Sequence, residues 1–282
     1  MHVYRGADGA VLHCDVLGRT DGPTLLVLAG GAAAHPRYLG DLAGLGERYR
    51  LVVPHLRGVG RSAGAPLTSR WDQADDVDRL RASLGLARCA VVAHSAGTRL
   101  AIGFAARFPD RPAALVLLTP PAEYLVDVPS DVPALLAARA GEPAVAAAVE
   151  ALDAGPDLTD DRSFAAWRLR TAPLGYARWD ATTQAHARGM RYSLAAARAF
   201  MAGGTPAGLP ERLRAVPAPT LVVAGAQDTS AGVAPVLAVA GLFPQGESAV
   251  VEGSGHVPWV ERPAAFRAVV DPFLARTVDS PA

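Results

Sequence analysis

The chain contains no lysine; all 27 of its basic residues are arginines. That excludes a Schiff-base lysine or a phosphate-loop lysine as the reacting group. Cysteine is nearly as scarce. Cys14 and Cys89 are the two present; both lie in apolar, strand-like runs and read as small buried hydrophobes, not as a disulfide framework. No cysteine–histidine cluster has zinc-ligand spacing, and neither metal nor cofactor is expected. There is no charge excess of either sign, because 27 acidic residues balance the 27 basic ones. Nothing in that balance favours a nucleic acid or an acidic membrane as partner. The N-terminus, Met-His-Val-Tyr-Arg-Gly-Ala-Asp, lacks the apolar core of a signal peptide, and no apolar run reaches the length of a membrane span. The expectation is a cytoplasmic protein acting on a small molecule.

What the chain does have is 282 residues, half of them hydrophobic, enough for one large domain with an insert. Residues 2 to about 18 hold two short alternating segments around Ala7-Asp8-Gly9, the pattern of an antiparallel hairpin. Thr24 to Ala29 is continuously apolar, as in a strand buried on both faces. It runs into Gly30-Gly-Ala-Ala-Ala34, a loop of small residues only. A helix is predicted from Pro36 to Arg48, a strand from Tyr49 to Leu56 and a helix from Asp72 to Leu86. A second buried strand ends at Ala93, and another covers Ala113 to Thr119. This alternation predicts a parallel sheet with helices on both faces. From 122 to 213 no strand is evident, and short helices rich in alanine, arginine and aromatics fit best. The rhythm then resumes with a strand at Pro219 to Ala224, a helix near Val233 to Phe243, a strand at Ser248 to Val251 and a helix from Pro263 to Arg276. Residues 1–121 and 214–282 are thus expected to form the core, with 122–213 a helical cap over the carboxyl ends of the strands.

Chemistry concentrates at Ala93-His-Ser-Ala-Gly97. A serine in a sharp turn between a buried strand and a helix is the setting of a nucleophile elbow, G-x-S-x-G, with Ala93 in the first glycine position. Ser95 then requires a base, an acid to orient that base, and donors for an oxyanion. Only His186 and His256 follow the elbow in sequence. His256 is the expected base, because Gly253-Ser-Gly-His256 directly follows the last strand, whereas His186 falls in the cap. Asp228, at the end of the first strand after the cap, is the expected acid, with Glu123 after the preceding strand as its rival. Backbone N–H groups of Ala96 and of Gly31 are the expected oxyanion donors. Gly58-Val-Gly60 after a strand imitates a dinucleotide loop, but Gly64 and Pro66 follow at once and leave no helix N-terminus for a pyrophosphate.

Taken together, these motifs resemble the α/β-hydrolase family over essentially the whole chain, and within it the proline iminopeptidase-like branch. Ala29-Gly-Gly-Ala-Ala33 stands where that branch has H-G-G-P-G, and His55-Leu-Arg-Gly-Val-Gly-Arg-Ser62 where it has D-x-R-G-x-G-x-S. Gly225-Ala-Gln-Asp228 and Ser254-Gly-His256 stand at the acid and the base. Tyr176-Ala-Arg-Trp179-Asp180 resembles a degenerate W-x-x-W-E, whose acid helps bind a substrate amino group. The resemblance implies an α/β-hydrolase fold, a mostly parallel twisted sheet with a helical cap inserted between two strands. It also implies a cofactor-free serine hydrolase cleaving an ester or amide through an acyl-enzyme, with Asp180, Trp179 and Tyr176 at the substrate. The same triad also suits a thioesterase, lactonase or C–C hydrolase, and the same fold a non-catalytic ligand-binding protein. Ala29, Ala32, Ala33 and His55 depart from the branch's pattern, and with them peptidase specificity departs from expectation.

Overall fold

A computed structural model of the chain describes residues 1–279. Eight strands form one sheet in the order β1-β2-β4-β3-β5-β6-β7-β8. The hairpin β1 (His2–Arg5) and β2 (Val11–Gly18) is antiparallel, and β2 runs antiparallel to β4 (Arg50–Pro54). From β4 onward every pairing is parallel, through β3 (Thr24–Leu28), β5 (Cys89–His94), β6 (Pro112–Leu118), β7 (Thr220–Gly225) and β8 (Gly246–Val251).

The two-residue period of the strands divides the core in two. Leu26, Val91, Leu115 and Val222 point into one apolar cluster, which also holds Leu100 and Phe104. Their chain neighbours Leu25, Val92, Val116 and Leu221 point into the other, which contains Phe266 and Phe273. Helices α1 (Gln73–Ser83) and α2 (Ala96–Arg107) cover the first face. Because β5 and β7 are buried at every position, apolar residues occupy both faces, which is why these strands read as unbroken hydrophobic runs.

Between β6 and β7 the chain is helical: α3 (Val132–Ala137), α4 (Pro143–Asp153), α5 (Asp161–Thr171), α6 (Ala181–Gly189), α7 (Leu194–Met201) and α8 (Leu209–Leu213). After β7 come α9 (Ala234–Ala238), and after β8 α10 (Pro258–Glu261) and α11 (Pro263–Thr277), which packs on β6 and β8. No helix among the described residues is long and apolar enough to cross a membrane. Cys14 and Cys89 are free and buried, and burial raises both thiol pKa values, to about 11 and about 12.

One predicted helix does not form. Residues 36–48 make two short 3-10 turns, Pro36–Leu39 and Leu45–Glu47. Between them Gly40, Leu42, Ala43 and Gly44 all have positive φ, which a right-handed helix cannot accommodate. Tyr38, Leu39, Leu42 and Leu45 are nonetheless buried together, so their helix-like spacing reflected burial and not backbone conformation. The segment predicted as helix at Val233–Phe243 is likewise split into α9 and a 3-10 turn at Val239–Leu242.

Candidate active site

Ser95 sits at the junction of β5 and α2 with φ 51° and ψ −125°, a conformation costly for any residue with a side chain. Its surroundings hold it there. The Ser95 N–H donates to the Leu118 carbonyl at 2.8 Å, continuing the β5–β6 ladder. On the far side, a Cβ at Gly97 would lie 2.4 Å from the Ala29 carbonyl oxygen, and a Cβ at Gly30 would lie 2.5 Å from that of His94. Both positions therefore demand glycine. Ala93 is an ordinary, fully buried strand residue, so its methyl group is accommodated.

The Oγ of Ser95 lies 2.7 Å from His256 Nε2, and His256 Nδ1 lies 2.7 Å from Asp228 Oδ2. Since a carboxylate only accepts, Nδ1 carries the hydrogen and Nε2 accepts from the serine hydroxyl. Asp228 is wholly buried. Its other oxygen accepts the N–H groups of Ser230 and Ala231 at 2.8 and 3.2 Å, so the residue caps its own turn and meets the imidazole with the same carboxylate. The His256 main chain is fixed from three sides. Its N–H donates to Gly175 O at 2.8 Å, while its carbonyl accepts from His94 Nε2 at 2.9 Å and Thr119 Oγ1 at 3.1 Å.

His94 belongs to a second chain of hydrogen bonds. With Nε2–H spent on the His256 carbonyl, Nδ1 accepts from the Tyr38 hydroxyl at 2.8 Å, and that oxygen accepts the Gly30 N–H at 2.7 Å. Burial pushes the His94 pKa well down, keeping it neutral. The glycine loop after β3 and the loop carrying His256 are thereby tied through one buried histidine. Gly31, Ala32 and Ala33 all take left-handed φ. The Gly31 N–H has no acceptor among the described residues, and the Ala96 N–H, first in α2, is an orphan of the helix start.

A cavity of about 400 Å³ opens at Ser95 and His256. Its wall includes Gly31, apolar and aromatic side chains such as Leu152, Trp167, Met190 and Tyr192, and the guanidinium-bearing Arg168. His186 also faces it, but is committed elsewhere. Its Nε2–H donates to the Tyr38 carbonyl at 2.9 Å and its Nδ1 accepts from the Tyr176 hydroxyl at 2.7 Å. Burial lowers its pKa. Glu123 is far more exposed, at 70%, and pairs with the buried Arg99.

Of the three residues expected at the substrate, only Tyr176 lines the cavity. Asp180 is the N-cap of α6. Its carboxylate accepts the N–H groups of Thr182 and Thr183 at 3.0 and 3.1 Å, and Thr183 Oγ1 accepts the Asp180 N–H to complete a capping box. With four orphan N–H groups at that helix start, the backbone takes the carboxylate away from the cavity. Trp179 packs partly buried beside Tyr176, ring centroids 5.5 Å apart. His55, in place of an aspartate, keeps its loop tied by a different route. Its Nδ1 accepts the Arg61 N–H at 3.0 Å and its Nε2–H reaches Asp15 of β2 at 2.9 Å. The loop Gly58–Gly60 leads into a 3-10 turn, Gly60–Ser62, with no helix behind it.

Tyr38, His94 and Arg168 escaped sequence reasoning. His94 lies inside the elbow motif, but its partners are remote in sequence. Arg168 carried one signal: Phe164, Trp167, Arg168 and Thr171 fall on one helical face.

A parallel sheet reversed at its antiparallel edge, with a serine elbow at the carboxyl end of β5, defines a hydrolase-fold class. The α/β hydrolase fold family matches residues 23–263, and the chain belongs to it. Among curated proteins, similarity is confined to segments. It is 37% identical to the magnesium-chelatase 30 kDa subunit of Rhodobacter capsulatus, over 31% of this chain and 32% of that protein. It is 39% identical to the proline iminopeptidase of Xylella fastidiosa, over 25% and 24%. The matches thus span a third or less of those relatives' lengths. An esterase structure from Rhodococcus sp. ECU1013 superposes over 98% of both chains with a TM-score of 0.73 at 21% identity, a likeness of fold.

Proposed function

We propose that the protein is a serine hydrolase that cleaves an ester or amide of a small, largely apolar substrate through an acyl-enzyme. The observation that carries this is the unbroken chain Ser95–His256–Asp228, two contacts of 2.7 Å at the mouth of an apolar cavity. His256 Nε2 takes the hydroxyl proton as Ser95 Oγ attacks the carbonyl carbon, and Asp228 stabilises the imidazolium that forms. The Gly31 and Ala96 N–H groups receive the oxyanion; one such donor is worth about 3–4 kcal/mol of barrier. The imidazolium then returns its proton to the leaving group, and water repeats the sequence on the acyl-enzyme.

A serine positioned by a strained turn, next to two N–H groups without acceptors, favours turnover over mere binding. The ester reading is preferred to an aminopeptidase one because no Asp or Glu is among the described residues lining the cavity, and a substrate ammonium has no partner there. The test is a panel of 4-nitrophenyl acyl esters and aminoacyl arylamides with wild type and Ser95→Ala. Wild type is expected to turn over neutral esters, with kcat reduced in the variant by roughly 10⁴-fold or more. Equal turnover by the folded variant would overturn the assignment.

A further inference from the structure

The cavity wall has a charge, and its sign is opposite to the one an amine-binding site requires. We propose that Arg168 binds a carboxylate at the end of the substrate remote from the scissile carbonyl, so that the substrates are anionic half-esters or half-amides. The inference rests on the serine-hydrolase reading of the same cavity.

Four observations carry it. Arg168 lines the same cavity as Ser95 and His256. Its side chain donates to no acceptor among the described residues, and its Nε is buried without a partner. Among the described residues the buried arginines are engaged: Arg57 by Asp8 and Asp76, Arg81 by Asp78, Arg99 by Glu123 and Arg139 by Glu142, while Arg70 donates from Nη1 to the Phe200 carbonyl and leaves its buried Nε without a partner. An arginine taken out of water is ordinarily matched in this way, whereas Arg168, half-buried on the cavity wall, has neither a carboxylate nor a carbonyl partner among the described residues. The guanidinium is also held in place. It lies over the Tyr192 ring at 5.2 Å and near the Trp167 ring at 6.0 Å, contacts that orient a planar cation while leaving its N–H fork free.

Among the described residues no carboxylate pairs with it; Asp161, which lines an adjoining cavity with it, accepts the Leu194 N–H. No Asp or Glu is among the described residues on the wall of the Ser95 cavity, and burial lowers the His186 pKa, against the opposing hydrogen bond to the Tyr38 carbonyl. The Arg168 charge reaches across the cavity. Desolvation raises the Tyr38 and Tyr176 hydroxyl pKa values, and Arg168 opposes that rise at both. A guanidinium fork meeting a carboxylate bidentately gives both affinity and register, and a fixed register sets the scissile carbonyl against Ser95.

Two substrate pairs test this. The acyl-side pair is mono-4-nitrophenyl glutarate and its terminal carboxamide; the alcohol-side pair is 3-acetoxypropanoate and its carboxamide. Wild type is expected to show the higher kcat/KM on the anionic member of at least one pair. Arg168→Gln should lower that anion-to-neutral ratio by about 10- to 100-fold, the scale of a charged hydrogen bond, and Arg168→Lys should retain an intermediate ratio. A separate measurement needs no turnover. In Ser95→Ala, calorimetry should find monomethyl glutarate binding more tightly than its carboxamide, and adding Arg168→Gln should abolish the difference. A wild-type ratio at or below one for both pairs, or a ratio or binding difference unmoved by Arg168→Gln, would overturn the proposal. Failure of wild type to hydrolyse any ester would refute the reading of Ser95, while the calorimetry would still decide on Arg168.

Discussion

Asp228 uses its two oxygens differently, and the division predicts how the site responds to substitution. Oδ2 meets the imidazole and Oδ1 holds the turn. In Asp228→Asn an amide replaces one acceptor with a donor, which disfavours the tautomer with hydrogen on Nδ1. The expected outcome is a kcat lower by roughly 10⁴-fold with the fold retained by circular dichroism. Glu123→Gln, at a 70% exposed residue outside the Ser95–His256–Asp228 chain, should alter turnover little. The reverse ranking in folded variants would place the acid on β6 instead of β7. At this scale, the residues legible in sequence were those announced by a strand end: Ser95 after β5, Asp228 after β7, His256 after β8. Tyr38 and His94 were not legible, because what gives each its part is a partner many residues away, and Arg168 was not, because only the folded cavity shows that its side chain has no partner. His94 lay in plain view within the elbow motif, yet only folding brings the Tyr38 hydroxyl and the His256 carbonyl to its two nitrogens.

Among the elements, the sheet was legible almost strand for strand, since buried parallel strands advertise themselves as apolar runs. The helices were less so. Apolar spacing at 36–48 implied a helix, but Gly40 and Gly44, together with left-handed Leu42 and Ala43, break it; spacing reports which side chains are buried and not how the backbone turns. Helix α6 shows the same ambiguity at its start. An aspartate following a tryptophan looked like an amine-binding acid, and the geometry makes it a cap with two accepted N–H groups. Asp180→Ala is therefore expected to lower Tm by about 2–4 °C, as loss of a helix cap does in a domain of this size. Activity on aminoacyl and simple acyl substrates should change in the same proportion. A selective loss on aminoacyl substrates would restore Asp180 to the binding site.

For the molecule as a whole, Glu261 joins the helical insert to the base loop. Its carboxyl accepts the Ala177 N–H at 2.7 Å and the Gly255 N–H at 2.8 Å, and burial raises its pKa to about 7. The folded protein thus retains a proton between about pH 4.5 and 7 that the unfolded chain has released. Stability conferred by this group is full below that window, falls as pH rises through it, and is constant above it, a total of up to about 3 kcal/mol. Glu261→Gln removes the titration. Urea unfolding should show the variant gaining on wild type between pH 5 and pH 8, and a pH-independent difference would rule out Glu261 as the linked group. The central claim, that Ser95 is the acylated nucleophile activated by His256, is tested most directly by reaction with a fluorophosphonate and peptide mapping of the adduct by mass spectrometry. The account predicts one stoichiometric adduct on Ser95 in wild type and a much slower reaction in folded His256→Ala; an adduct on another residue, or none on the folded wild-type protein, would contradict it.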